Sequence, residues 1–171
     1  MPGIRSGTLL LLVLLTVSCR TNDLPEGWER DDYIAYLAIS DFLRQPSPHR
    51  EPSVVCVVNG IGAHAAYYDK LPDPSLKLLD GLTTEFAGSH TYTFRPGSAC
   101  HDVLGVVRER TTGRDAMYIS VSRSRPEQIL CGGYEVDWHH AVLWGGGAYY
   151  AVNLDQEPLV VNRSEICFIG E

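Results

Sequence analysis

The chain has 171 residues, with 14 basic and 21 acidic side chains and a formal net charge of −7 at pH 7. This is the length of one ordinary domain with a hydrophobic core of its own. An acidic surface repels phosphate backbones, and no basic cluster exceeds the pair Arg123 and Arg125. Nucleic acid is therefore excluded as an expected partner.

Residues 1–18 have the order of a secretory signal: Arg5 gives a positive start, and an apolar run follows over 9–17. That run is too short to span a bilayer core, which takes about 20 residues of helix. A small residue followed by Cys19 resembles the lipobox of bacterial lipoproteins, in which the cysteine becomes the acylated first residue. We expect a signal peptide over 1–18, lipid attachment at Cys19 and a membrane-bound location in the cell envelope, at the outer membrane or periplasm of a Gram-negative cell.

Five cysteines is an odd number for an exported protein. Acylation of Cys19 leaves four thiols, namely Cys56, Cys100, Cys131 and Cys167. Four thiols in an oxidising compartment form up to two disulfides with three possible connectivities, and we expect at least one. Because no cysteine or histidine spacing matches a zinc or thioredoxin-type site, the sequence predicts neither a metal nor a cofactor.

The segment after Cys19 predicts a tether and then a helix. Residues 19–28 are polar and form the tether, followed by a single domain over 29–171. Residues 33–43 are apolar around most of a helical circumference, which is typical of a buried helix. Asp31 and Asp32 suit the start of that helix, because acidic side chains there favour the helix dipole.

Three further elements are predicted before residue 100. Residues 53–58 are rich in β-branched side chains and indicate a strand. Residues 73–80 predict a short helix, with Pro74 in its first turn and Gly81 as its stop. Residues 90–94 indicate another strand.

From residue 103 onward the pattern predicts an antiparallel meander. Its strands are expected over residues 103–110, 116–123, 129–140, 148–154 and 159–169. The first two flank a hairpin turn, and the glycines at 145–147 indicate a turn or bulge before the fourth strand. Helices early and strands late indicate an α+β fold, with a long N-terminal helix packed on a mainly antiparallel, meander-type sheet.

Strand alternation selects the candidate site residues. Asp137 and His139 share one face of the third meander strand about 7 Å apart, close enough to converge on one substrate or metal. His64, in a glycine-rich segment, is the third candidate, since histidine titrates near neutrality. The competing interpretation is a solvated sheet face, and no catalytic motif is present, so no catalytic residue is assigned. The opposite face takes Tyr134, Val136, Trp138 and His140.

Several short motifs are similar to those of a loose group of uncharacterised bacterial lipoproteins. They are a cysteine within the strand at 54–58, DPSLKLL at 73–79, RPGSAC at 95–100, TGRDA at 112–116, and GGY at 132–134 leading to GAYY at 147–150. The resemblance implies an exported, lipid-anchored domain of unknown function and transfers no catalytic residue. The order of elements is also similar to the cone-shaped NTF2-like and cystatin-like folds.

Two disulfide pairings remain open. A simple meander separates Cys131 from Cys167 by more than the roughly 7 Å that a disulfide allows between Cα atoms. This geometry favours Cys100–Cys131 together with Cys56–Cys167. The resemblance instead implies Cys56–Cys100.

Three classes of function are consistent with these observations. We favour a membrane-anchored, non-catalytic domain that binds an envelope protein or a small ligand. The alternative is a hydrolase- or isomerase-like enzyme with a His/Asp pair in a cone-shaped pocket, which proximity of His64, His139 and Asp137 around an apolar cavity would favour. A purely structural envelope component is the third class.

Overall fold

The computed structural model describes residues 24–45, 52–61, 72–88, 92–123, 133–141, 144–153 and 160–166. Within these ranges the chain forms helices and one eight-stranded mixed sheet. The helices are α1 (Arg30–Arg44) and α2 (Leu76–Phe86), and a short 3-10 turn covers Gly97–Ala99. The strands are β1 (Val54–Gly60), β2 (Thr93–Pro96), β3 (Cys100–Val103), β4 (Val106–Glu109), β5 (Ala116–Arg123), β6 (Tyr134–Ala141), β7 (Trp144–Asn153) and β8 (Val160–Ile166). The predicted α+β class is confirmed.

Helix α1 begins where the acidic side chains predict it. Asp31 and Asp32 occupy its first turn and Arg44 its last, so both ends favour the helix dipole. Asp32 is only 8% exposed, and its carboxylate accepts a hydrogen bond of 2.8 Å from Asn59 Nδ2. This bond ties the start of the helix to the end of β1. None of the described helices is long and apolar enough to cross a membrane.

Helix α2 does not stop at Gly81, so that prediction is wrong. The hydroxyl of Ser75 caps its start by accepting a hydrogen bond from the Leu78 amide at 3.1 Å, and the helix continues through Gly81 to Phe86. A Cβ atom at position 81 would lie 2.8 Å from a ring carbon of Trp28. The glycine is therefore a contact point for the indole and not a helix stop.

The sheet is mixed, where the sequence predicted a meander. Its strand order is β2-β1-β5-β6-β4-β3, with β7 on β6 and β8 on β7. Strand β1 pairs in parallel with β2 and β5, and all other pairs between the described strands are antiparallel. Residues 54–58 are completely buried, as expected of a central parallel strand covered on both faces.

The predicted hairpin between residues 103–110 and 116–123 is wrong. Strand β4 instead turns back on β3 through Leu104 and Gly105, both with positive φ. Strand β5 is paired along its length with β1 and β6, and β4 pairs with β3 and β6; the isolated bridge of Arg108 with Asp115 lies just before β5 begins. The turn residues at 111–114 indicated that the chain reverses its direction, but they did not indicate which strand lies next to β5.

The two faces of the sheet have separate cores. The helical face packs against α1 and α2; on β5 it carries Met117, Ile119 and Val121. The hairpin face lies under the β3–β4 hairpin, where Tyr118 packs with Val107 and with β1. The predicted alternation of residues 117–121 is therefore confirmed.

A disulfide joins Cys56 of β1 to Cys100 of β3, with 6.2 Å between the Cα atoms. Both residues are fully buried on the hairpin face. The pairing drawn from meander geometry, Cys100–Cys131 with Cys56–Cys167, is wrong because the β3–β4 hairpin folds over β1. Cys19, Cys131 and Cys167 lie outside the described residues.

Candidate functional site

Polar side chains gather on the hairpin face beside the second core. Across β5 and β6, Ser120 is the direct partner of Asp137, and Tyr118 is the partner of His139. Asp102, on β3, comes within 3.9 Å of His139. We call Asp102, Tyr118, Ser120, Asp137 and His139 the polar bay.

Glycines of β7 provide the neighbouring surface of the polar bay. Gly147 pairs with Asp137, and Gly145 pairs with His139. A Cβ atom at Gly147 would lie 2.5 Å from Asp137 Oδ1, so the carboxyl group leans over this glycine. On the other face, a Cβ atom at Gly146 would lie 2.8 Å from Nε1 of Trp138. The glycine run lies inside β7, so the prediction that it lies between strands is wrong, although the pairing of β6 with β7 is irregular, as at a bulge, opposite Trp144 and Gly145.

Asp137 is the most perturbed group of the polar bay. Burial raises its pKa from the ordinary 3.8 to about 7, and the nearby charge of Glu135 acts in the same direction. Among the described residues, none donates a hydrogen bond to this carboxyl group. Acid and carboxylate forms of Asp137 are consequently both populated at neutral pH.

His139 is the second titratable group of the bay. Burial lowers the pKa of its imidazole and the charge of His140 lowers it further, while Asp102 acts in the opposite direction. The Asp102 carboxylate also accepts a hydrogen bond of 2.7 Å from the Gly105 amide, which orients it at the hairpin turn. His139 is therefore mainly neutral at pH 7.

His140 has a different environment from its neighbour. Its Nδ1 lies 2.8 Å from the carbonyl oxygen of Ala116, and the residue is partly buried, as predicted. The pairing of β6 with β7 is irregular between His139 and Ala141. His140 is thus held by the backbone of β5.

The structure brings together two of the three predicted site residues. Asp137 and His139 share the hairpin face, as strand alternation predicted, whereas His64 lies outside the described residues. Asp102 and Ser120 were missed. Ser120 follows from alternation once β5 is known to pair with β6, but Asp102 is placed only by the folding of the hairpin.

Glu109, a buried carboxylate away from the polar bay, has a structural role. Its oxygens accept hydrogen bonds from Thr112 and, at 3.0 Å, from Arg95 Nε. These two bonds lower the pKa of Glu109, and the bond from Thr112 has the larger effect. In the part of the chain that the structure describes, no group of three or more His, Cys, Asp or Glu side chains is arranged to hold a metal ion.

No protein-family model matches this chain, and neither a curated protein nor a solved structure matches it significantly. Any function proposed for the chain therefore depends on the signal-like pattern of residues 1–18, the disulfide and the polar bay.

Proposed function

We propose that the chain is an exported lipoprotein, anchored through an acylated Cys19, whose domain is a non-catalytic binding module of the cell envelope. The observation that carries this proposal is the buried disulfide between Cys56 and Cys100. Structural disulfides persist in oxidising compartments and are rare in the cytosol. The disulfide therefore supports the same location as the signal-like residues 1–18.

The polar bay supports binding more than catalysis. Nucleophilic catalysis needs a hydroxyl or thiol within hydrogen-bond reach of its base. The ion-pair partner of the His139 imidazole among the described residues is the Asp102 carboxylate, at 3.9 Å, which is neither a hydroxyl nor a thiol. A partly exposed carboxyl group without a donor is instead ready to accept hydrogen bonds from a ligand.

The second candidate is a hydrolase- or isomerase-like enzyme. The pKa of about 7 at Asp137 favours it, because a general acid or base works best near the operating pH. Such an enzyme would show a pH–rate profile that Asp137→Asn abolishes. If the domain is instead a binding module, Asp137→Asn should leave its Cys19-dependent membrane anchoring unchanged.

The anchoring proposal is tested by expressing the full chain with Cys19→Ala beside the wild type and a Cys131→Ala control. We expect the wild type and the control to incorporate an alkyne fatty acid and to sediment with membranes. The Cys19→Ala chain should lose the label and appear in the soluble fraction. Equal sedimentation of all three chains without labelling, or a thiol at Cys56 that alkylates without reductant, would refute the proposal.

A further inference from the structure

Three aromatic side chains meet where the chain enters the domain. Trp28 lies two residues before α1, and Tyr33 and Tyr36 lie on that helix. The ring centroid of Trp28 is 5.4 Å from that of Tyr33 and 5.0 Å from that of Tyr36. The two tyrosine rings stack with their centroids 6.2 Å apart, and all three residues are partly exposed. We call these three residues the aromatic corner.

Packing inside the domain explains part of the aromatic corner. Trp28 and Tyr33 occupy the two positions of a hydrophobic staple, which fixes the direction in which the chain enters α1. Trp28 and Tyr36 also pack against the core of the helical face, whereas Tyr33 is not among the side chains of either core. Any apolar pair would serve as a staple. Aromatic rings with an N–H or O–H group are instead typical of a boundary between apolar and aqueous surroundings.

The aromatic corner lies close to the expected anchor along the chain. Five residue steps separate Cys19 from Leu24, the first described residue, so this stretch spans at most about 18 Å. The Trp28 amide then donates a hydrogen bond of 3.1 Å to the Pro25 carbonyl oxygen, and this turn keeps Trp28 near Leu24. An acyl chain on Cys19 would therefore hold the corner within about 30 Å of the bilayer, at a high effective concentration.

The charges next to the aromatic corner nearly cancel. Three exposed acidic side chains, Glu26, Glu29 and Asp80, are opposed by the exposed Arg30 and Lys77, whereas the whole chain has a net charge of −7. Lys77 Nζ lies 5.7 Å from the centroid of the Trp28 ring, so its ammonium group can reach a phosphate while its stem covers the ring. A nearly neutral surface suits a zwitterionic headgroup layer, because the rest of this acidic chain repels an anionic one.

We propose that the aromatic corner docks on the zwitterionic headgroup layer of the bilayer that holds the acylated Cys19. This inference rests on the proposed anchoring and names the surface that faces the lipid. Tryptophan and tyrosine concentrate at this layer, where the ring contacts acyl chains and the polar group contacts water. Leu76, which is 79% exposed, adds an apolar side chain nearby, since the start of α2 adjoins the tether: a Cβ atom at Gly27 would lie 3.8 Å from Lys77 Nζ.

Docking at the aromatic corner determines which end of the domain lies far from the bilayer. The start of α1 is tied to the carboxyl ends of β1 and β5, through the bond from Asn59 and through Arg123, 3.9 Å from Asp31. The β3–β4 hairpin joins β6 at Ala141, beside the amino end of β5. The two ends of this eight-residue strand are about 23 Å apart, and the hairpin covers the face opposite the helices. Leu104, fully exposed at the hairpin tip, therefore lies far from the bilayer.

The test is fluorescence quenching of the acylated chain in phosphatidylcholine vesicles whose acyl chains carry bromine. Trp28→Phe isolates the signal, because the difference from the wild type is the emission of Trp28. We expect bromine to lower this emission at least about twofold. The matched control is Leu104→Trp in the Trp28→Phe background, which places an exposed tryptophan at the hairpin tip. Its emission should fall by less than about a tenth, because the tip lies far from the acyl chains.

A second measurement uses the wild type alone, so the inference stays testable if a variant fails to fold. A nitroxide on the lipid headgroup should broaden the amide NMR signals of residues 26–33 and leave those of residues 104–106 sharp. Equal broadening of the two segments, or equal quenching at positions 28 and 104, would overturn the inference.

The same measurements separate docking from anchoring. Retention of the acylated chain on vesicles without quenching at Trp28 would refute the docking of the aromatic corner alone. Absence of lipid on Cys19 would refute the anchoring. Quenching of Trp28 in the unmodified chain at millimolar lipid would then support docking by the corner itself, and its absence would refute that docking too.

Discussion

Substitution of Gly81 by alanine tests how Trp28 packs on α2. Helix propensity alone favours alanine over glycine in a helix interior by about 1 kcal/mol. The added Cβ atom would, however, lie 2.8 Å and 3.0 Å from two carbons of the Trp28 ring. Contacts of that length require the indole to move.

The indole of Trp28 is not free to move without cost. Its ring centroid lies 5.4 Å from that of Tyr33 and 5.0 Å from that of Tyr36, and Lys77 Nζ is 5.7 Å from it. Overpacking of this kind costs about 1–3 kcal/mol. With about 2 kcal/mol of steric cost against about 1 kcal/mol of propensity gain, Gly81→Ala should destabilise the domain by about 1 kcal/mol.

A double-mutant cycle separates the two effects. In a Trp28→Ala background the two shortest contacts disappear and only a contact of 3.3 Å with the Tyr36 ring remains. Gly81→Ala should then stabilise by up to about 1 kcal/mol, with a coupling energy of about 2 kcal/mol. Gly88→Ala is the control, because a Cβ atom there meets nothing within 4 Å. Urea unfolding of the oxidised chain, followed by far-UV circular dichroism, measures each free energy. Stabilisation by Gly81→Ala in the wild-type background, with no coupling to position 28, would refute this packing.

Two further predictions concern the hairpin face. Replacing Cys56 and Cys100 together by alanine opens a loop with a sequence separation of 44. The free energy of unfolding, measured with urea, should fall by about 4 kcal/mol, because the unfolded chain is no longer constrained. A loss below about 1 kcal/mol would contradict a native disulfide. The folded-state pKa of Asp137 is raised to about 7, so its protonation contributes stability that is fully present below the unfolded pKa, about pH 4, and is lost as the pH rises through 7. Between pH 5 and pH 8 the free energy of unfolding of the wild type should therefore fall by about 2–4 kcal/mol relative to that of Asp137→Asn. If the two proteins instead show the same dependence of unfolding free energy on pH, the pKa of Asp137 is not raised by folding.

Part of the candidate site was predictable because strand alternation is a local property. It placed Asp137 and His139 on one face without knowledge of the neighbouring strands. The depth at which Asp137 lies was not predictable, because it depends on Ser120 across the sheet and on Gly147 of β7. The contribution of Asp102 was equally hidden, since about 37 residues separate it from His139 along the chain.

The glycines show most clearly which features the sequence predicts and which depend on the tertiary structure. Gly81 and the run at 145–147 have the composition of stops and turns, yet both lie inside regular elements. Each position is set by the large or charged side chain that packs against it, Trp28 in one case and Asp137 in the other. Because glycine has no side chain, its position in the sequence does not indicate which distant side chain will pack against it.

The sequence by itself determined the α+β class, the approximate positions of most helices and strands and which side chains alternate, since these follow from interactions within a few residues. The signal-like pattern of residues 1–18 and the odd cysteine count also led to the prediction of export and anchoring, which stays a prediction. Only the tertiary structure decided that β1 lies parallel between β2 and β5, that Cys56 bonds to Cys100, and that the polar bay exists. These features depend on which distant segments of the chain become neighbours in the fold. The burial of a side chain and the charges around it are determined only by that arrangement.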